Sequence, residues 1–445
     1  MKNKTVFITI FVSLLISISC NGNNRSSNVD EFSGFGDDFP ITDSGTNDDE
    51  LEYYDSDSEI FLKYNESDKK AYSINNSLIN ANTEFAVKML KAILADEEEK
   101  NIFFSPISIS VALSMTMNGA DEENHEEMSK ALEFSGMTQK DINKNFFDLI
   151  ESLNYCDNDA ELSLANSIWI VPDYNNCISE PFTEVLEKYY QSGVFEADYP
   201  DSINNWVKEK TKGKIEKVID EFPDLLVMYL INAIYFRGSW AIPFKKEDTM
   251  PLDFFKKDGS IVSADMMKIE KRGEYTLFTD QYLKGIRLPY GRDKIAFYAF
   301  TGRIDRSIDE YLNKLTAPYL NHVLNSFNKL IIDGIFIPKF RIDYEKDLME
   351  TFKSFGMKKA FCGGFKNMNN NKCIGFNPYI SAIKHKSFID VTEEGTEAAA
   401  VTVVETSNES GPEFFSLNRP FFFLIRDDRN GTILFMGKVA DPTQK

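Results

Sequence analysis

Three features of the sequence predict an α+β fold. Residues 101–120 run through a short apolar strand, a Ser105-Pro106 helix start and a helix apolar on every side, which has to lie inside a core. Residues 161–170 form a strand with apolar side chains on both faces, as in a sheet covered on both sides. Residues 419–426 and 431–439 read as an apolar hairpin that turns between Asp427 and Asn430. With 445 residues, 42% of them hydrophobic and 13% aromatic, the chain can fill the cores of two ordinary domains or of one large one with appendages.

Taken in order, residues 1–19 read as an export signal. Lys2 and Lys4 precede an apolar run from Val6 to Ile18 that is too short for a membrane span. The run ends at Ser19-Cys20 before polar Asn21-Gly22. This resembles a bacterial lipoprotein signal, with Ser17 where an aliphatic residue is usual. Cys20 is therefore the expected lipid anchor, with ordinary secretion as the alternative, and the protein is expected at the cell surface or outside the cell. Residues 20–78, acidic and poor in apolar side chains, are expected to form a disordered tether. The folded domain is expected over 79–443. Its first helix presents Phe85, Ala86, Met89, Leu90 and Ile93 on one face, capped by Asn82 or Thr83. Glu122, Glu123, Glu126 and Glu127 read as a solvated acidic face. A second amphipathic helix covers 141–153, and a strand from Leu230 leads into a turn containing Trp240.

Near the C-terminus, Phe388-Ile389-Asp390-Val391 reads as a strand that crosses Gly395 into a run of small and β-branched residues. That run lacks the bulk to anchor a core, so it reads as an exposed loop. Its parity is nevertheless that of a strand. Thr396, Ala398, Ala400, Thr402, Val404, Thr406 and Asn408 are uncharged, whereas Glu397, Glu405 and Glu409 all fall at odd positions. A loop patterned as a strand suggests a conformational switch; an Ala/Thr-rich linker is the plainer alternative.

At Glu393-Glu394-Gly395-Thr396-Glu397-Ala398-Ala399-Ala400 the chain resembles the hinge of inhibitory serpins, a family of serine protease inhibitors, and the run beyond it resembles their reactive-centre loop. Asn101–Ala120, Leu230–Phe244, Lys339–Leu348, Phe355-Gly356-Met357 and Arg419–Arg426 are similar to further stretches of that family, so the resemblance extends over about 79–443. It implies the serpin fold, large mixed β-sheets with about nine helices around them, one of which, over 203–215 and with a wet Lys cluster, lies across the main sheet. It implies suicide inhibition of a serine protease by insertion of the cleaved loop into the main sheet. Counted by family pattern from Gly395 and from Arg419-Pro420-Phe421, the scissile bond is Glu409–Ser410, so the target would accept an acidic residue before the cut. The resemblance also groups Ser105, Ser108, Asn232 and His385 into a buried polar cluster between strands that must part, and sets Trp240 where the loop would enter. A monomer without cofactor is implied. A non-inhibitory member serving as a binding or chaperone module on the cell surface is the alternative, against which Thr396 and the Ala398–Ala400 run count.

Composition narrows the remaining classes. A net charge of −21 argues against nucleic acid, and the helix over 141–153 has no heparin-binding character. With three histidines, His125, His322 and His385, and no Gly-x-Ser-x-Gly, His-Glu-x-x-His or phosphate-binding loop, the chain does not read as an enzyme. The spacings of Cys156, Cys177, Cys362 and Cys373 do not resemble a zinc motif. Export permits Cys156–Cys177 and Cys362–Cys373 bridges without requiring them, and free thiols fit equally well.

Overall fold

Helix α3, Pro106–Met117, is buried at every one of its positions. Ser105 caps it, its hydroxyl accepting from the Ser108 amide at 3.2 Å. The computed structural model that places it describes residues 59–157, 159–222, 226–303, 307–373, 375–395 and 413–444, all within one compact unit, 54–445. The expectations for residues 1–19, Cys20, Thr396, Glu397, Ala398, Ala399, Ala400, Glu409 and Ser410 lie outside the described residues.

The described residues form three sheets. The main sheet has five strands: β1 (Ala160–Ile170), β2 (Val194–Glu196), β3 (Met228–Gly238), β4 (Phe340–Asp347) and β5 (Ile380–Val391), in the spatial order β4-β5-β3-β1-β2. β1 and β3 pair antiparallel from Ala160↔Gly238 to Ile170↔Met228, and β4 and β5 pair antiparallel from Phe340↔Val391 to Asp347↔Lys384. Between these two antiparallel units runs one long parallel seam, β3 against β5, from Met228↔Ile380 to Tyr235↔Phe388. Both faces of the sheet are covered. α3 and a seven-stranded sheet that includes the Phe421–Asp427 and Thr432–Val439 hairpin lie behind it. The helix Pro200–Lys210 lies in front, with Ile203 and Val207 packed in one cluster with Trp169, Tyr229 and Ile231. The chain leaves the main sheet at Gly395 and is described again from Glu413. There Phe414–Ser416 pairs with Gly334–Pro338 in a separate four-stranded sheet.

Several local expectations shift. Eleven α-helical segments are described where about nine were expected; segments as short as Pro172–Asn175 and Met349–Ser354 leave no periodicity to read. The front helix ends at Lys210, ahead of a turn with positive φ at Lys212 and Gly213, and does not reach Ile215. The folded body begins well before residue 79. α1 (Glu59–Ser73) and α2 (Asn76–Glu97) occupy the end of the stretch assigned to the tether. α1 is held by polar contacts that hydropathy does not report. Ser67 donates to the Ser152 carbonyl at 2.6 Å, and Asp68 pairs with Lys294 and Arg429 at 2.8 and 3.0 Å. α2 is capped by Asn75, which accepts from the Ser77 amide at 2.8 Å, while Asn82 and Thr83 are buried within the helix. The cysteines pair as Cys177–Cys373; Cys156 stays a buried thiol, pushed up to about 12 by that burial, and Cys362 an exposed one. Neither pairing of sequence neighbours forms, because the fold brings the end of one half of the main sheet beside the lead-in to the other.

Candidate functional site

The seam between β3 and β5 carries a polar cluster in otherwise apolar strands. Asn166 of β1 is in register with Asn232 of β3, which is in register with His385 of β5, so one rung supplies three polar side chains. His385 is fully buried. Its Nε2 lies 3.3 Å from the Ser105 amide, which can only donate, so the ring proton sits on Nδ1 and is donated to Asn232 Oδ1 at 2.5 Å. Burial holds this imidazole neutral, its pKa lowered to about 3. The Asn232 amide nitrogen donates to Ser108 Oγ and, at 2.5 Å, to Asn166 Oδ1. Ser105 Oγ donates to the Leu434 carbonyl at 2.7 Å, which fastens the cluster to the sheet behind. The four residues predicted to group here do meet. Sequence reasoning missed Asn166, although a lone Asn in a strand apolar on both faces is a signal. It also missed Ser387, two residues along β5, whose hydroxyl donates to the Phe103 carbonyl at 2.6 Å.

At the upper end the seam opens. Beyond Tyr235↔Phe388, β3 continues to Gly238 on β1 and β5 to Val391 on β4, with no rung between β3 and β5 among the described residues. The chain leaving β5 turns at Glu393-Glu394 and comes back. Gly395 forms antiparallel bridges with both Thr392 and Ser239. It has φ of 110°, and a Cβ there would stand 2.4 Å from the Gly238 carbonyl oxygen and 2.5 Å from the Trp240 nitrogen, so only glycine fits. Trp240, 4% exposed, stacks on Tyr290 at 4.6 Å and donates its indole N–H to the Thr392 carbonyl at 3.0 Å.

Side chains pin this turn. Glu393 is 3% exposed, and its carboxylate accepts from Thr249 at 2.7 Å and pairs with Lys339 at 3.0 Å. Burial alone would raise its pKa; the bonds from Thr249, from its own backbone and from Lys339 outweigh that and hold it below the usual carboxylate value. Glu394 pairs with Lys246 at the surface. Glu394 and Gly395 are thus the predicted hinge residues that the structure places, both at the mouth of the open seam. No group of three or more His, Cys, Asp or Glu side chains able to hold a metal occurs among the described residues.

Comparison with known proteins agrees with this geometry. The family model described as Serpin (serine protease inhibitor) matches residues 80–442. Human Serpin B4 is 31% identical, over 82% of this chain and 100% of its own length. An uncharacterized serpin-like protein of Methanosarcina mazei is 32% identical, over 83% of this chain and 88% of its own. Among solved structures, the native state of the thermophilic serpin tengpin superposes with a TM-score of 0.74 at 31% identity, covering 83% of this chain and 95% of that one. Human thyroxine-binding globulin bound to its hormone superposes equally, with a TM-score of 0.74 at 26% identity, over 84% of this chain and 100% of that one.

Proposed function

The chain belongs to the serpin family, and we propose that within it the protein is an inhibitor that traps a serine protease by inserting its own cleaved loop. The fold alone does not decide this, since thyroxine-binding globulin shares it. The observation that carries the reading is the position of Gly395. It already forms one rung antiparallel to the exit of β5 and to the residue after β3, at the mouth of a seam whose upper rungs are missing. A strand continued from Gly395 down the seam would be antiparallel to both neighbours. It would replace one parallel ladder by two antiparallel ones, the more stable arrangement per residue. Its even-numbered side chains from Thr396 on are small and uncharged, as a face buried over α3 requires.

On this reading the protease attacks the carbonyl of Glu409 and forms an acyl-enzyme with release of the amine at Ser410. Insertion of residues 396–409 then carries the enzyme away before water can deacylate it. Some dozen new rungs, at about 0.5–1.5 kcal/mol each, supply on the order of 10 kcal/mol, comparable to the stability of a domain. The molecule acts as substrate and trap rather than as an enzyme, and needs no cofactor. Glu409 selects a protease that accepts an acidic residue. Lipidation of Cys20, as a tether to a bacterial surface, belongs to the same proposal.

Incubation with a panel of serine proteases that includes acid-preferring ones tests it. The expected product is a complex that survives denaturing electrophoresis, with a released fragment beginning at Ser410. Quantitative cleavage by every enzyme with no such complex would favour the alternative, a serpin fold used as a binding module.

A further inference from the structure

The Cys177–Cys373 bridge joins the two halves of the main sheet at the end of the seam farthest from Gly395. Ile170, Met228 and Ile380 lie level at that lower end. Cys177 follows β1, which moves with β3 because the two share a ladder from end to end. Cys373 precedes β5. The two Cα atoms are 5.5 Å apart across a sequence separation of 196 residues. Around the bridge the two segments are stitched together: the Asn370 amide donates to the Cys177 carbonyl at 2.8 Å, the Ser179 amide to the Met368 carbonyl at 2.7 Å, and Tyr174 packs on Phe376 at 4.8 Å. The far side is fixed to the core, since the Asn367 side chain donates to the Ala120 carbonyl, just past α3, at 2.6 Å. The seam itself is reinforced at this end, where Ser381 Oγ accepts from the Val227 amide at 2.9 Å beside a register irregularity.

We propose that this bridge is a clasp that limits how readily the seam opens, so that the covalent state of Cys177 and Cys373 sets the rate of strand insertion. The inference rests on the reading of the β3/β5 seam as the slot for residues 396–409. Admitting a strand moves β3 and β1 away from β5 by about 4.8 Å along the whole seam. At the upper end no disulfide opposes that among the described residues. At the lower end the chain has only the segments 171–176 and 374–379 with which to absorb it, one of them carrying the helix Pro172–Asn175. Opening therefore begins at the Gly395 end and meets resistance as it reaches the clasp. A dithiol releases it: the reagent gives up two electrons and two protons and closes to its own disulfide, while Cys177 and Cys373 become thiols.

The test uses the full chain and a synthetic peptide of residues 396–409 as the inserting strand, so that no target protease is needed. The rate at which excess peptide makes the protein resistant to urea unfolding is measured for three forms: oxidised, reduced with dithiothreitol, and the Cys177→Ser/Cys373→Ser double variant. Release of the clasp is expected to speed this conversion about tenfold, a fraction of what a bridge over a long loop contributes to stability. Amide exchange at Met228–Leu230 and Ile380–Ile383 is expected to quicken, while exchange at Phe236–Gly238 does not. Should the double variant fail to fold, the reduced native sequence supplies the comparison. Equal or slower conversion without the bridge overturns the clasp while leaving the slot intact. A peptide that protects none of the three forms removes the slot, and the clasp with it.

Discussion

At the scale of single residues, His385 couples the main sheet to pH. Its imidazole is neutral in the fold, with a pKa of about 3, against about 6.5 in an unfolded chain. The unfolded state therefore binds the extra proton first. Stability is unaffected above about pH 6.5 and falls by up to about 1.4 kcal/mol per unit as pH drops toward the folded value. Glu393 works in a lower window. Its depressed pKa contributes stability that is present above the ordinary carboxylate value of about 4.5 and lost below it. Between about pH 6.5 and 4.5 the slope belongs mainly to the histidine. We expect His385→Gln to flatten the urea-measured stability profile in that interval, at the cost of a lower plateau near neutral pH. A slope unchanged by the substitution would show that the proton goes elsewhere. Protonation also removes the acceptor for the Ser105 amide, on the rung that has to part if a strand is to enter.

At the scale of elements, the readable parts of the sequence were those whose environment is uniform along their length. α3 is apolar all round because it is buried all round, and β1 is apolar on both faces because helix and sheet cover it. α1 was misread as tether because nine Asp, Glu, Lys, Asn and Ser side chains among its 15 residues hide the few contacts that hold it. Its anchor, Arg429, comes from a hairpin far along the chain, and no local pattern could join them. The Arg429 side chain is 3% exposed, and reaches Ser67 and Asp68 of α1 as well as the fully buried Asp427. Arg429→Ala removes the cation that pairs with buried Asp427 and leaves its carboxylate only the residue 429 backbone N–H at 3.0 Å, so a loss of about 3–5 kcal/mol is expected in equilibrium unfolding. A loss below about 1 kcal/mol would mean that water reaches the site. The Cys177–Cys373 pairing was equally illegible, since spacing along the chain says nothing about which ends of a sheet lie level. The turn at Gly395 was legible for the opposite reason: its φ of 110° and the backbone packed against it admit only glycine, while the hinge role of the residues after it is a proposal that rests on a parity count. Parity yields a sharp test. Thr396→Arg puts a charge on the face proposed to enter the sheet, where burial would cost several kcal/mol. The variant is expected to be cut and released by a target protease with at least a tenfold loss of stable complex. Undiminished complex formation would reject the inserted-strand mechanism.

At the scale of the whole molecule, the native state is proposed to be a compromise. Its sheet holds a parallel seam where two antiparallel ladders would bind more tightly, and its polar rung of Asn166, Asn232 and His385 satisfies groups that a purely apolar seam would not need. What keeps the molecule there is connectivity. On that proposal, the hold comes from Gly395, bridged at the mouth, and from Phe414–Ser416, paired into a different sheet. One cut between these two points would then free one end and release the stored difference. A single nick at or near Glu409 is therefore expected to raise the melting temperature by more than about 10 °C, where nicking an ordinary loop lowers stability or leaves it unchanged. The rise should track insertion rather than cleavage: Thr396→Arg, nicked at the same bond, is expected to show little of it. A nicked native-sequence protein that melts no higher than the intact one would mean that the gap beside Gly395 is a fixed feature of the sheet and not the entrance to a slot.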